Sequence, residues 1–261
     1  MANNDTIKKT LIVALSLCIV CSIVVSTAAV VLKPAQDANK KLDFNKNILA
    51  AAGLMTDGAD VNELMKKVTP KLVDLSTGKF VSAEDVDGIV SIDAYDQNKA
   101  AKDPALSETL TAANDPAKIL RKEKYAKVYL INNDSGSLET IVLPVKGYGL
   151  WGQLYGFMAL GSDLNTVVGT GFYDHKETPG LGGEVDNPLW KAIWVGKEMY
   201  STNGDVAVRI LKGKAPKDSK HEIDGLSGAT LTTRGLENLY RYWLGENGYR
   251  PLLNNLQKGE A

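Results

Sequence analysis

The chain opens on an unbroken apolar run. From Thr10 to Leu32, TLIVALSLCIVCSIVVSTAAVVL, 23 residues carry no charge, and as a helix they reach about 35 Å, enough to cross the hydrocarbon core of a bilayer. Beyond Pro34 the pattern becomes mixed. Asp37 to Leu54 turns from polar to apolar and closes on Gly53, a residue suited to the left-handed position past a helix end, so a juxtamembrane helix is expected. Asp60 and Glu63 have the spacing of a capping box, ahead of a second helix with Val61, Leu64, Val68 and Leu72 on one face. GKFVSAEDVDGIVSIDAYD holds short strand-like runs between turns, and residues 98–124, broken by Pro104 and Pro116, read as a surface connection with one short helix.

From Tyr125 the pattern is that of strands. YAKVYLI and SLETIVLPV flank the turn residues NNDSG and predict a hairpin, and YGFMALG and NTVVGTGFY predict two more strands. Gly147, Gly149, Gly152 and Gly156 interrupt this region among aromatics, where glycine marks either a barrel corner or a close approach by a backbone or ligand. NPLWKAIWVG predicts a helix with Leu189, Ile193 and Trp190 on its apolar side, VAVRIL a strand, and GLENLYRYWL a helix burying Leu236, Leu239, Tyr240 and Trp243. The class is α+β: one N-terminal membrane helix, then an antiparallel sheet with helices packed on it.

Composition narrows the chemistry. Thirty basic and 31 acidic residues leave no cationic excess for a phosphate backbone, so nucleic acid is not expected as a partner. Both cysteines, Cys18 and Cys21, lie in the apolar run, leaving the rest without thiols for a zinc site, an iron-sulfur cluster or a disulfide. Three apart on a helix, they suit either a redox pair or two small apolar packing residues. The run itself reads as one membrane span; a cleaved secretory signal ending near Ser26 and Ala28 is the rival, and Leu17 before Cys18 speaks against a lipoprotein signal. Lys8 and Lys9 precede the span and Lys33, Lys40, Lys41 and Lys46 follow it, a count that taken alone keeps the C-terminal side inside. Long domains, however, cross membranes largely regardless of flanking charge, and one N-terminal anchor before a large remainder is the layout of an exported, tethered domain.

Two segments carry candidate chemistry. In DGLSGATLTTRG, Ser227, Thr230, Thr232 and Thr233 precede a helix, where hydroxyls cap backbone amides, the reading that spacing alone favours, and where an anionic group is also at home. In HKETPGLGGE, Pro179 and the glycines fit rigid turn chemistry or close approach to a ligand. His175 and Glu177 offer two ligand types with no third nearby, so no metal is expected.

Taken together, DGLSGAT, YDHKETPGLGG upstream and an anchor in front resemble the covalent-flavin subunits of bacterial membrane redox pumps. With the juxtamembrane DFNKNILAAAGL, the whole chain is similar to the family of C subunits of the sodium-translocating NADH:quinone oxidoreductases. The resemblance implies FMN esterified through its phosphate to Thr230 by a flavin transferase that uses FAD and recognises Asp224, Gly225, Ser227, Gly228 and Ala229 around it. It makes Glu177, Thr178, Gly180, Leu181 and Gly182 candidates for lining the flavin and names no catalytic residue. It implies a cytoplasmic segment 1–9, a transmembrane helix 10–32, juxtamembrane helices and an accessory region 33–124, and a periplasmic FMN-binding domain 125–261, single-pass in the inner membrane and in contact with lipid. Such a protein would relay electrons, with its partner proteins in the complex, between NADH oxidation and ubiquinone reduction coupled to sodium export. No Gly-x-Gly-x-x-Gly stretch stands between a strand and a helix, so NADH is not expected to bind here. The G subunit of the Rnf complexes, with a similar flavin domain but a shorter stretch behind the anchor, is the alternative within the class, and a tethered binding domain without flavin the alternative outside it.

Overall fold

The computed structural model describes residues 6–56 and 58–261. Helix α1, Ile7–Ala51, contains Pro34. Its part up to Phe44 forms one compact unit and Asn45–Ala261 another. In the first unit Leu11, Ile12, Leu15 and Ile19 are exposed, and among the described residues α1 is the one helix long and apolar enough to cross a membrane. Cys18 and Cys21 are free thiols on its surface.

In the second unit, Ile48 and Leu49 at the end of α1 are fully buried, and Gly53, with φ 70°, follows it in the left-handed conformation expected of a helix stop. Next come α2 (Val61–Met65), β1 (Val68–Asp74) and β2 (Lys79–Val81). The predicted second helix therefore ends at Met65, and Val68 and Leu72 belong to a strand. Four residues apart is one face of a strand as well as of a helix, and antiparallel pairing of β1 with the later strand Tyr125–Asn132 over Val68 to Asp74 decides between them. Asp60 does cap α2 by accepting from the Asn62 amide, while the Glu63 carboxylate pairs with Lys66 at 2.7 Å, so the capping box is half formed.

The stretch expected as a surface connection contains α3 (Gln97–Ala100), β3 (Ser107–Thr109) and β4 (Arg121–Glu123), and it buries Ala117, Ile119 and Glu123. Then follow β5 (Tyr125–Asn132), β6 (Leu138–Tyr148), β7 (Gln153–Gly161) and β8 (Val167–Asp174), the four strands the β-rich runs and turn residues predict. The sheet order is β2-β1-β5-β6-β7-β8, antiparallel throughout. Of the four strands before residue 125, β1 and β2 extend this sheet, while β3 and β4 pair with each other. Adjacent residues of β1 point to opposite faces: Val73 joins the main core, and Leu72 a smaller cluster with Val86, Ile89 and Tyr95.

The remaining elements are α4 (Pro188–Ala192), β9 (Arg209–Ile210), β10 (Glu222–Ile223), α5 (Thr230–Trp243) and α6 (Arg250–Lys258). α4 buries Trp190, but Leu189 is 79% exposed, which corrects the expected apolar side. Helix α5 packs Leu236, Leu239, Tyr240 and Trp243, all fully buried, on the sheet. Its aromatic polar atoms are used as anchors: Trp243 Nε1 donates to the Lys146 carbonyl at 2.7 Å, and the Tyr240 hydroxyl lies 2.6 Å from Thr170 Oγ1. Burial holds the Tyr240 phenol above its ordinary pKa, so it stays neutral in the core.

Candidate functional site

The fold delivers the hydroxyl-rich stretch to the start of α5 and then sorts its hydroxyls. Thr232 and Thr233 are buried and employed: Thr232 Oγ1 donates to Glu177 Oε2 at 2.6 Å, and Thr233 Oγ1 accepts from the Leu226 amide at 3.1 Å. Ser227 and Thr230 are exposed, and among the described residues their hydroxyls have no hydrogen-bond partner. The N-cap is Ala229, which has no side-chain acceptor to offer. No side chain caps α5, so the amides at its first turn stay open next to the Thr230 hydroxyl.

The rest of the motif holds this loop in place. Asp224 Oδ1 accepts from the Ala215 amide at 2.8 Å, and its carbonyl accepts from Trp190 Nε1. Gly225 lies so close to the strand edge that a Cβ there would sit 1.9 Å from the Leu211 carbonyl oxygen. Gly228, with φ 72°, makes the turn into the helix, and a Cβ there would meet Leu181 Cδ2 at 2.9 Å. That contact brings the two motifs of the sequence together.

The second motif is organised by one carboxylate. Glu177 is 6% exposed. Its Oε1 accepts from the amides of Leu150 and Trp151 at 2.9 and 3.0 Å, and its Oε2 from Thr232. A Cβ on Gly149 would lie 2.4 Å from Oε1, and one on Gly182 2.4 Å from Oε2, so the two glycines make room for the carboxylate. Thr178 and Gly180 are exposed, the Thr178 carbonyl accepting from the Leu181 and Gly183 amides, and Gly180 turns the loop with φ 75°. His175 braces the same loop: Nδ1 accepts from the Glu177 amide and Nε2 lies 2.8 Å from Asp186, so both ring nitrogens are engaged within the protein.

Around this framework the surface is apolar. Trp151 is 62% exposed, Leu231 55% and Leu181 44%, with Leu150 and Tyr148 partly exposed beside them. These residues stand on the β6–β7 turn, the Glu177 loop and the first turn of α5, the three segments that Glu177 joins. Large exposed side chains gathered at one place mark a surface that meets something. Sequence reasoning treated Leu150 and Trp151 only as part of a glycine-rich stretch, and Thr232 only as a cap. The available signal was the pairing of one acidic residue with flanking glycines in both motifs. Of the other glycines of that stretch, Gly147 and Gly156 answer to the chain itself: a Cβ on Gly147 would strike Leu239, and one on Gly156 the Gly171 carbonyl.

Residues 149–245, which include the turn, the Glu177 loop and all of α5, match the FMN-binding domain family. Over its full length the chain is similar to the C subunit of the Na(+)-translocating NADH-quinone reductase of Pseudomonas aeruginosa, with 53% identity over 268 residues and 100% of both chains covered. The chain belongs to this family of C subunits. Its Vibrio vulnificus relative is 49% identical over 99% of each chain, and that of Yersinia pestis 42% over 98% of this chain and 96% of the relative. The crystal structure of Shewanella oneidensis NqrC superposes with a TM-score of 0.76 at 34% identity, covering 85% of this chain and 99% of that one. The crystal structure of the corresponding C subunit from Parabacteroides distasonis gives 0.64 at 25% identity, with 85% and 96% covered. Family membership, carried across the anchor as well as the domain, sets aside the Rnf-type alternative.

Proposed function

We propose that this chain is the FMN-carrying subunit of a sodium-translocating NADH:quinone reductase, that its flavin is esterified to Thr230, and that residues 10–32 anchor the domain on the periplasmic side of the inner membrane. The observation that carries the reading is Thr230, exposed and with its hydroxyl unpartnered among the described residues, at the first position of a 14-residue helix with no side-chain cap. Open amides and the positive end of the helix dipole stabilise a phosphodiester at that point. Gly228 makes room for Leu181, and Trp151, Leu181 and Leu231 offer an apolar surface of the kind a flavin ring needs.

In the attachment reaction Thr230 Oγ bonds to the FMN phosphorus of FAD. The bond from that phosphorus to the bridging oxygen breaks, AMP leaves, and the hydroxyl proton passes to the flavin transferase. Ser227 to Ala229 are small, so a second enzyme reaches the hydroxyl unobstructed. Once attached, FMN supplies the capacity to accept and donate electrons, and the protein supplies position and shielding. The tether holds the cofactor at high local concentration in a compartment where a dissociated flavin would be lost. The protein then relays electrons among the cofactors of a complex that couples NADH oxidation and ubiquinone reduction to sodium export.

The test is coexpression with a flavin transferase, denaturing electrophoresis under ultraviolet light, and mass spectrometry of the peptide containing Thr230. A fluorescent band and a peptide heavier by one FMN residue are expected. An unmodified peptide, with the transferase active on a control substrate, would refute the assignment. Orientation has its own test: the chain's two cysteines both lie in α1, so Val90→Cys adds one reporter at an exposed position of the domain. A membrane-impermeant maleimide should label it in intact spheroplasts.

A further inference from the structure

We infer that Glu177 is the positioning residue for flavin attachment, the group that makes Thr230 a competent acceptor without itself touching the reacting atoms. The inference rests on Thr230 being the attachment site. Three segments far apart in sequence meet at its carboxylate: the β6–β7 turn through the Leu150 and Trp151 amides, its own loop, and α5 through Thr232, two residues beyond Thr230. Gly149 and Gly182 are shaped around the same two oxygens. Both oxygens of the carboxylate are thus engaged within the protein, by three donors in all, and its placement argues for alignment.

Alignment matters here because few side-chain hydrogen bonds hold the first turn of α5 itself. Ala229 supplies no side-chain cap, and Ser227 and Thr230 are unpartnered among the described residues. The side-chain tethers on this turn are Thr232 to Glu177 and Thr233 to the Leu226 amide. The second fixes the turn to its own loop. The first fixes it to the rest of the domain, and it sets the direction in which the Thr230 hydroxyl is presented to the transferase. It also fixes the turn that displays Leu150 and Trp151, so acceptor and apolar surface are held in register by one side chain.

Three variants separate alignment from charge and from folding. Glu177→Ala removes every bond of the clamp. Thr232→Val removes the hydroxyl alone, at nearly constant shape. Glu177→Gln preserves the geometry: its Oε1 accepts from both amides, and its Nε2 donates to Thr232 Oγ1, which turns to accept. Rates of FMN transfer to the purified full chain are measured at saturating and at limiting transferase, below the melting temperature of each variant, together with hydrogen exchange at the Leu150 and Trp151 amides.

The expected result is that Glu177→Ala lowers the rate at saturating transferase about tenfold or more, since misalignment of a reacting group by about 1 Å costs on that order or beyond. Thr232→Val should fall in the same direction by a smaller factor. Both should speed amide exchange at Leu150 and Trp151, and Glu177→Gln should restore rate and protection to near the wild-type values. A folded Glu177→Ala protein modified at the wild-type rate overturns the inference while leaving the Thr230 assignment intact. So does a Glu177→Gln protein as slow as Glu177→Ala, which would make the charge the active property. If Glu177→Ala does not fold, Thr232→Val decides by the same readouts, and unchanged rate and exchange overturn the inference. An unmodified wild-type chain, with the transferase active on a control, removes the attachment site and the inference with it.

Discussion

Four helices of the domain begin in two different ways. α2, α3 and α4 are four or five residues long, and each starts at an Asp or Asn with extended backbone whose side chain accepts from amides of the first turn: Asp60 from Asn62, Asp96 from Asn98 and Lys99, Asn187 from Leu189. α5 is 14 residues long and starts at Ala229, with φ −122° and ψ 51° and no acceptor. Short helices cannot form without help at their ends, whereas a long amphipathic one is held by its buried face. The lesson is that packing along Leu236 to Trp243 frees the start of α5 from the capping that α2, α3 and α4 use. The amides left open there are available to a ligand.

The contrast can be broken most completely at Thr230. Thr230→Ala should abolish flavin attachment in gel fluorescence and mass spectrometry, while stability to urea stays within about 0.5 kcal/mol, because the hydroxyl holds nothing in the fold. A large loss of stability would return Thr230 to a structural role. Next in size is Gly225→Ala, which forces a methyl group onto the Leu211 carbonyl and should cost about 1–3 kcal/mol in denaturant unfolding. Asn187→Ala removes a working cap and should cost about 1 kcal/mol in the same measurement. The smallest effect sharpens the comparison best. Ala229→Ser puts a capping residue on a backbone that does not aim it, so the change in stability should be below about 0.5 kcal/mol. A gain of about 1 kcal/mol would show that residue choice alone left α5 uncapped.

What could be read from the sequence follows from where the information lies. β5 to β8 were legible because β-rich runs and turn residues are local, and α5 because Leu236, Leu239, Tyr240 and Trp243 repeat at helical spacing over a long stretch. β1 was not, since Val68 and Leu72 satisfy both periodicities and their partner, β5, starts about fifty residues later. Pro70 adds to the ambiguity. It is tolerated in β1 because β2 pairs only with Leu72 to Asp74, leaving the stretch around Pro70 an edge on that side. At the site, the exposed position of Thr230 matched the motif, but the division of labour among its neighbours did not show. Asp224 and Gly225 serve the local fold and Glu177 serves the junction, and each role depends on a residue distant in the chain: Ala215, Leu211 and Thr232.

The exposed indole beside the acceptor has an optical consequence. Of the four tryptophans, Trp190, Trp194 and Trp243 lie within the core and Trp151 at the surface of the turn that Glu177 clamps. Its emission should be red-shifted and open to iodide, which cannot reach the other three. A flavin on Thr230 absorbs where indole emits, so energy transfer should dim the iodide-accessible fraction as attachment proceeds. The native chain thus carries a built-in gauge of its own maturation, readable in solution without a label.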